Sequence, residues 1–184
     1  MERLDPRSRA DIYGRRINRA PSPWRSRSVP YLSIMLASLV PLLLIADGMP
    51  LVPPLGFLLL LGWRMVRPGL LPLWAGAPLG AFDDLVSGQA FGSAILLWSL
   101  AMITIELIEA RFPWRGFWQD WFTAGVLTTG YWLAALLVSG APITPEMVLV
   151  GMPQALLAIL LYPIVARMVA SLDRFRLARA RKIS

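Results

Sequence analysis

Long apolar runs, separated by short polar segments, dominate the chain between residues 29 and 170. A helix that crosses the hydrocarbon core of a membrane needs about 20 mostly apolar residues. Six runs of suitable composition lie at 29–46, 51–66, 69–87, 91–110, 117–138 and 147–169. The pattern therefore predicts an all-α integral membrane protein, built as a bundle of about six transmembrane helices.

Prolines distinguish the second and third runs from the others. Pro53 and Pro54 lie in the second run, and Pro72 and Pro78 lie in the third. Because proline removes a backbone donor and interrupts a helix interior, these two short runs are candidates for kinked or partly re-entrant segments.

The composition supports a membrane protein with basic ends. Apolar residues make up 57% of the chain and the mean hydropathy is +0.59, whereas soluble domains contain roughly 45–50% apolar residues. We predict a basic, Arg-, Pro- and Ser-rich tail at 1–28 that is disordered, a transmembrane domain at 29–170 and a second basic tail at 171–184.

The basic residues lie at alternate connections between the runs. Eight arginines precede residue 29, two lie at or just after the end of the second run, and two lie between the fourth and fifth; Arg167 ends the sixth run, and the other five basic residues follow it. Positive charge favours the cytoplasmic side, so both termini are predicted to be cytoplasmic. Since the basic residues flank apolar runs, the net charge of +7 favours anionic lipid headgroups over nucleic acid as the partner.

Several kinds of chemistry are excluded by the residues that the chain lacks. It has no cysteine and no histidine, which removes Cys/His metal sites, a Cys nucleophile and a His base. It also lacks a phosphate-binding loop and a dinucleotide fingerprint. An intramembrane G-x-G-D protease element is absent, and Ser87 stands where a D-D-x-x-D diphosphate site needs its third aspartate. We therefore expect no enzyme, cofactor or metal.

The segment GAFDDLVSGQAFG at 80–92 places two aspartates among glycines and apolar residues. If one helix continues through it, Gly80, Asp84, Gly88 and Gly92 share a face that another helix can approach closely. Gly88 can instead end the third helix before a tight turn. Both interpretations predict a close-packed seam between the third and fourth runs, in which Gly88→Leu damages assembly more than Asp84→Asn.

Asp83 and Asp84 are predicted to occupy different environments. Successive residues of a helix point about 100° apart, which disfavours a shared-proton dyad. One carboxylate is expected to face water or a partner protein, and the other to face the bundle, where it is protonated or bonded to backbone amides. Both are predicted helix-packing or partner-binding residues, about one turn from the extracytoplasmic face.

A second group of charges is predicted near the cytoplasmic face. Glu106 and Glu109 are three residues apart and share one side of the fourth run. Arg64, at the end of the second run, and Arg67, directly after it, lie at the same depth. We therefore predict ion pairs within the bundle at this level.

The chain resembles the MreD family of bacterial rod-shape-determining membrane proteins. It shares with that family a small size, a basic N-terminus, about six spans, and prolines in the first two spans. The closest local similarity is the G-x-x-x-D-x-x-x-G-x-x-x-G pattern at Gly80, Asp84, Gly88 and Gly92, with DLVSG at 84–88. Asp83 departs from the pattern, because an apolar residue is common there.

The resemblance implies a non-enzymatic scaffold of the elongasome, the machinery of cell-wall elongation, in the bacterial inner membrane. Its partners would be MreC-like and MreB-like proteins and a RodA-type glycosyltransferase with its transpeptidase. The implied fold is similar to the substrate-binding S-components of energy-coupling-factor transporters. The alternative is therefore an S-component-like subunit of a small-molecule (vitamin) transporter, with polar groups converging on an extracytoplasmic pocket.

Overall fold

The computed structural model describes residues 23–46, 52–88, 90–112, 116–138 and 144–177. Within these ranges the regular structure is helical, as predicted, and contains no strand. The six α-helices are α1 (Pro23–Ala46), α2 (Leu55–Val66), α3 (Gly76–Ser87), α4 (Ser93–Arg111), α5 (Phe117–Val138) and α6 (Pro145–Leu177). A 3-10 turn at Leu73–Ala75 leads into α3.

Four of these helices are long and apolar enough to cross a membrane, namely α1, α4, α5 and α6. The other two, α2 and α3, have 12 residues each and extend only about 18 Å, less than the hydrocarbon thickness of about 30 Å. The prolines explain their length, because α2 begins directly after Pro54 and Pro72 precedes the 3-10 turn. The structure supports a multi-pass membrane protein, and the count of six spans stays a prediction.

The short helix α2 lies at the centre of the bundle. Every residue from Gly56 to Met65 is buried, and α2 contacts α1, α4, α5 and α6. A helix enclosed on all sides is apolar all round, which accounts for its run of four leucines. Gly62 allows α6 to approach closely, because a Cβ there would lie 3.1 Å from a methyl carbon of Val169.

The helices α3 and α4 form a tightly packed hairpin. A Cβ at Gly80 would lie 2.5 Å from the carbonyl oxygen of Ala94, and one at Gly76 would lie 2.9 Å from that of Trp98. Contacts this short leave no room for a side chain, so the backbone of α4 rests directly on the two glycines. The seam predicted from the sequence is present here, and Gly76, one turn before Gly80, extends it.

The ends of the bundle differ from the predicted domain boundaries. The first helix begins at Pro23, so the last residues of the predicted 1–28 tail belong to α1. The last helix continues to Leu177 and includes the first part of the predicted 171–184 tail. Residues 1–22 and 178–184 lie outside the described residues, as does the predicted disorder of the N-terminal tail.

Candidate functional site at the α3–α4 turn

The carboxylate of Asp84 closes the N-terminus of α4. It accepts hydrogen bonds from the backbone amides of Gly92 (2.9 Å), Ala94 (2.8 Å) and Ile95 (3.2 Å), and from the Ser93 hydroxyl (3.1 Å). The first amides of a helix have no partner within it, and its N-terminus carries a partial positive charge. A buried aspartate on α3 thus acts as the N-terminal cap of α4. A residue at the start of the capped helix normally has this role.

The turn that allows this capping depends on two left-handed glycines. Gly88 (φ 68°) follows the last residue of α3, and Gly92 (φ 99°) precedes the first residue of α4. A Cβ at either position would meet nothing within 4 Å, so these glycines are needed for their backbone conformation. The continuous helical face predicted from Gly80 to Gly92 is wrong beyond Ser87, where α3 ends, and the predicted tight turn is what the structure contains.

Asp83 faces a different part of the bundle. Its side chain is half-buried and lies beside the buried hydroxyl of Ser38 on α1. Both residues line a cavity of about 170 Å³, which we call the small chamber. The two aspartates therefore face different environments. Their neighbouring positions on one helix predicted this difference.

A larger cavity adjoins the small chamber. This large chamber, of about 450 Å³, lies between α5 and α6, and its other walls are Pro54, the α3–α4 turn and the first residue of α4. The two chambers share Pro54, Tyr131 and Gln154 as walls. The Tyr131 ring is stacked on Phe57 at 4.5 Å between centroids, and the Nε2 of Gln154 donates a 2.6 Å hydrogen bond to the carbonyl oxygen of Val52.

The remaining predicted site residues lie at the opposite end of the bundle. The guanidinium of Arg64, 3% exposed, is paired with Glu106 and, at 2.8 Å, with Glu109. Arg67 makes no pair with these glutamates among the described contacts. Its Nε instead bonds to Asp173 on α6 at 2.8 Å.

Asp173 and Arg176 extend this charged cluster, and the sequence analysis did not identify either. Asp173 accepts a 2.6 Å hydrogen bond from Arg176, whose guanidinium also donates to the backbone carbonyl of Ser26 on α1. The same guanidinium lies 5.9 Å from the ring centroid of Trp63, within cation–π range. We call Arg67, Asp173 and Arg176 the α6 clamp, because they join the ends of α1, α2 and α6.

A signal for the α6 clamp is present in the sequence. Asp173 is the one acidic residue within 171–184, and it precedes Arg176 by three positions on the predicted helix. A lone acid among basic residues near a membrane end indicates a structural ion pair. In the described part of the chain, no group of three or more His, Cys, Asp or Glu residues could hold a metal ion.

Comparison with known proteins gives no match to a family model, to a curated protein or to a solved structure.

Proposed function

We propose that this protein is a non-enzymatic membrane scaffold of the bacterial elongasome, similar to MreD, that regulates cell shape and peptidoglycan synthesis. Its partners would be MreC-like and MreB-like proteins and a RodA-type glycosyltransferase with its transpeptidase. The proposal is supported by the resemblance at Gly80, Asp84, Gly88 and Gly92 and by a bundle in which buried charges hold helices together.

The observation that carries the proposal is an apolar stripe on α4. Its members are Leu96, Leu100, Ile103 and Leu107, all exposed, and their spacing of four, three and four residues places them on one face of the helix. Spacing of this kind suits packing against a partner helix. The α4 stripe is held in a fixed position, because Asp84 caps one end of the helix and Arg64 pairs with Glu106 and Glu109 near the other.

The charges of the chain suggest how the scaffold is oriented. In the proposed topology both termini and the Arg64–Glu106 end face the cytoplasm, and the α3–α4 turn faces the other side of the inner membrane. The two short helices α2 and α3 would complete six crossings, with α2 enclosed by its neighbours and α3 packed on α1 and α4. The Arg-rich tails would bind anionic lipid headgroups.

The proposed partners are tested by affinity purification of the tagged chain from its native membrane in mild detergent, followed by mass spectrometry. Recovery of MreC-like, MreB-like or RodA-type proteins would support the elongasome. Recovery of ATP-binding cassette subunits without them would reject it in favour of the transporter alternative.

The proposed surface is tested by placing a photo-crosslinking residue at Leu100 on the α4 stripe. A matched control at Phe122 uses an exposed apolar position on α5. We expect the Leu100 probe to give a discrete adduct with a partner helix and the Phe122 probe to give less of it. Equal adducts at both positions would contradict a specific role for the α4 stripe.

A further inference from the structure

We propose that the two chambers form a binding site for a small organic ammonium compound. Asp83 would take the ammonium group, and the large chamber would hold the apolar body beside Tyr131 and Trp132. This inference concerns ligand binding and does not depend on the scaffold function.

The carboxylate of Asp83 is the charge that such a ligand would complement. None of the residues that line either chamber is a lysine or arginine, and no ion pair to Asp83 occurs among the described residues. Ser38 supplies a neutral hydroxyl beside it. A partly buried carboxylate without a cation is unfavourable, so a cationic ligand would gain from neutralising it.

The other polar groups of the walls add hydrogen-bonding capacity without adding a positive charge. The Nε2 of Gln154 is used in its bond to Val52, which leaves the amide oxygen as an acceptor. Thr128 lines the large chamber and is 1% exposed, and its hydroxyl has no hydrogen-bond partner within the described ranges. Walls with a carboxylate, an amide oxygen and hydroxyls suit a ligand rich in N–H donors, such as a primary ammonium.

The size and the aromatic walls of the large chamber fit the apolar part of the ligand. Its volume of about 450 Å³ lies within the range of about 300–1,000 Å³ that is typical of small-molecule sites. Tyr131 and Trp132 provide aromatic surface, and aromatic rings also attract cations. The same walls disfavour an anion, because no lining residue carries a positive charge.

The test uses the full chain in nanodiscs of zwitterionic lipid, with empty nanodiscs as the baseline. The probe is 4-fluorobenzylammonium, followed by fluorine NMR, and its matched analogues are 4-fluorobenzyl alcohol and 4-fluorobenzoate. We expect saturable binding of the ammonium compound alone. Saturable binding of the alcohol or benzoate with equal affinity would overturn the proposal, as would the absence of saturable ammonium binding.

Three variants test whether the ammonium compound binds in the two chambers. Asp83→Asn should weaken binding by about tenfold or more, and Thr128→Val should weaken it by a smaller factor. Glu146→Gln is the control, because Glu146 is an exposed acid in the first turn of α6 and lines neither chamber. Unchanged affinity in a folded Asp83→Asn variant, or an equal loss in Glu146→Gln, would overturn the assignment.

Thermal unfolding shows whether Asp83→Asn is folded. A fourth variant tests the site independently of Asp83→Asn. Ala155→Phe fills the large chamber, which Ala155 lines, and leaves every charge in place. We expect it to abolish binding of the ammonium compound. Full binding to a folded Ala155→Phe protein would show that the ligand lies elsewhere.

Discussion

The carboxylate of Asp84 on α3 accepts a 2.8 Å hydrogen bond from the backbone amide of Ala94 on α4. One residue thus connects two helices and also satisfies amides that the second helix leaves unpaired. Its neighbour Asp83 makes none of these bonds and lines the small chamber instead. The stability of the α3–α4 hairpin should therefore depend on Asp84 and not on Asp83.

Substitution of Asp84 should destabilise the protein more than substitution of Asp83. Asp84→Ala removes an acceptor for three amides and a hydroxyl, and a hydrogen bond to a charged group contributes about 1.5–3 kcal/mol. We expect a lower midpoint of thermal unfolding in detergent for Asp84→Ala, with Asp83→Ala closer to the unsubstituted protein. Equal midpoints for the two variants would contradict the capping role.

The seam should tolerate no side chain at Gly80. In Gly80→Leu the added atoms would overlap the backbone of Ala94, so α3 and α4 would have to separate. The matched variant Gly88→Ala meets no neighbour and incurs only the strain of a left-handed conformation, about 1–2 kcal/mol. We expect loss of folded protein from the membrane for Gly80→Leu, measured by size-exclusion chromatography after extraction, and a folded Gly88→Ala protein.

This expectation revises the order predicted from the sequence, in which Gly88→Leu was more damaging than Asp84→Asn. The structure gives Gly88 open space and gives Asp84 four hydrogen bonds. A Gly88→Leu variant that is less stable than Asp84→Asn would favour the continuous helical face over the turn.

The two groups of ion pairs should differ in their contribution to stability. The side chains of Asp173 and its partner Arg176 are each 8% exposed, whereas the side chain of Glu106 is 56% exposed. Breaking a buried pair costs about 3–5 kcal/mol, whereas an exposed pair contributes about 0–1 kcal/mol. We expect Asp173→Asn to lower the unfolding midpoint clearly and Glu106→Gln to change it little, because Glu109 still pairs with Arg64.

A double-mutant cycle isolates the interaction between Arg67 and Asp173 from the other contacts that each residue makes. Arg67→Gln combined with Asp173→Asn should be less destabilising than the sum of the two single changes. Strict additivity would indicate that the Arg67–Asp173 contact contributes nothing to the α6 clamp.

The proposed topology can be tested with single cysteines, since the chain contains none. Cysteines at Pro68 and Arg111 are expected to react from the cytoplasmic side, and one at Ser87 from the opposite side. All three positions are exposed. Labelling of Ser87→Cys and Pro68→Cys from the same side would show that α3 does not cross the membrane.

Local features of the site followed from the sequence. Adjacent helix positions separate Asp83 from Asp84, and the glycine at 88 marks a helix end. The common depth of Arg64, Glu106 and Glu109 indicated a charged group. The first two depend on spacing within one helix or across one short turn, whereas the charged group was predicted by matching the depths of two runs whose residues Arg64 and Glu106 lie 42 positions apart.

Long-range features did not follow from the sequence. Arg67 meets Asp173 at a separation of 106 residues, and no local pattern joins them. The central position of α2 was also missed, because a helix buried in protein and a helix facing lipid are both apolar all round. The prolines at 53 and 54 indicated where α2 begins but carried no information on its neighbours.

The position of α2 has a consequence for the order in which the protein is made. This helix is too short to remain in lipid on its own, and its neighbours include α6, which is synthesised after it. Its Gly62 rests against Val169, and Arg67 directly after it finds its partner in Asp173. Helix α2 therefore reaches its final environment only after α6 has been synthesised, and a chain truncated before α6 leaves one side of α2 uncovered.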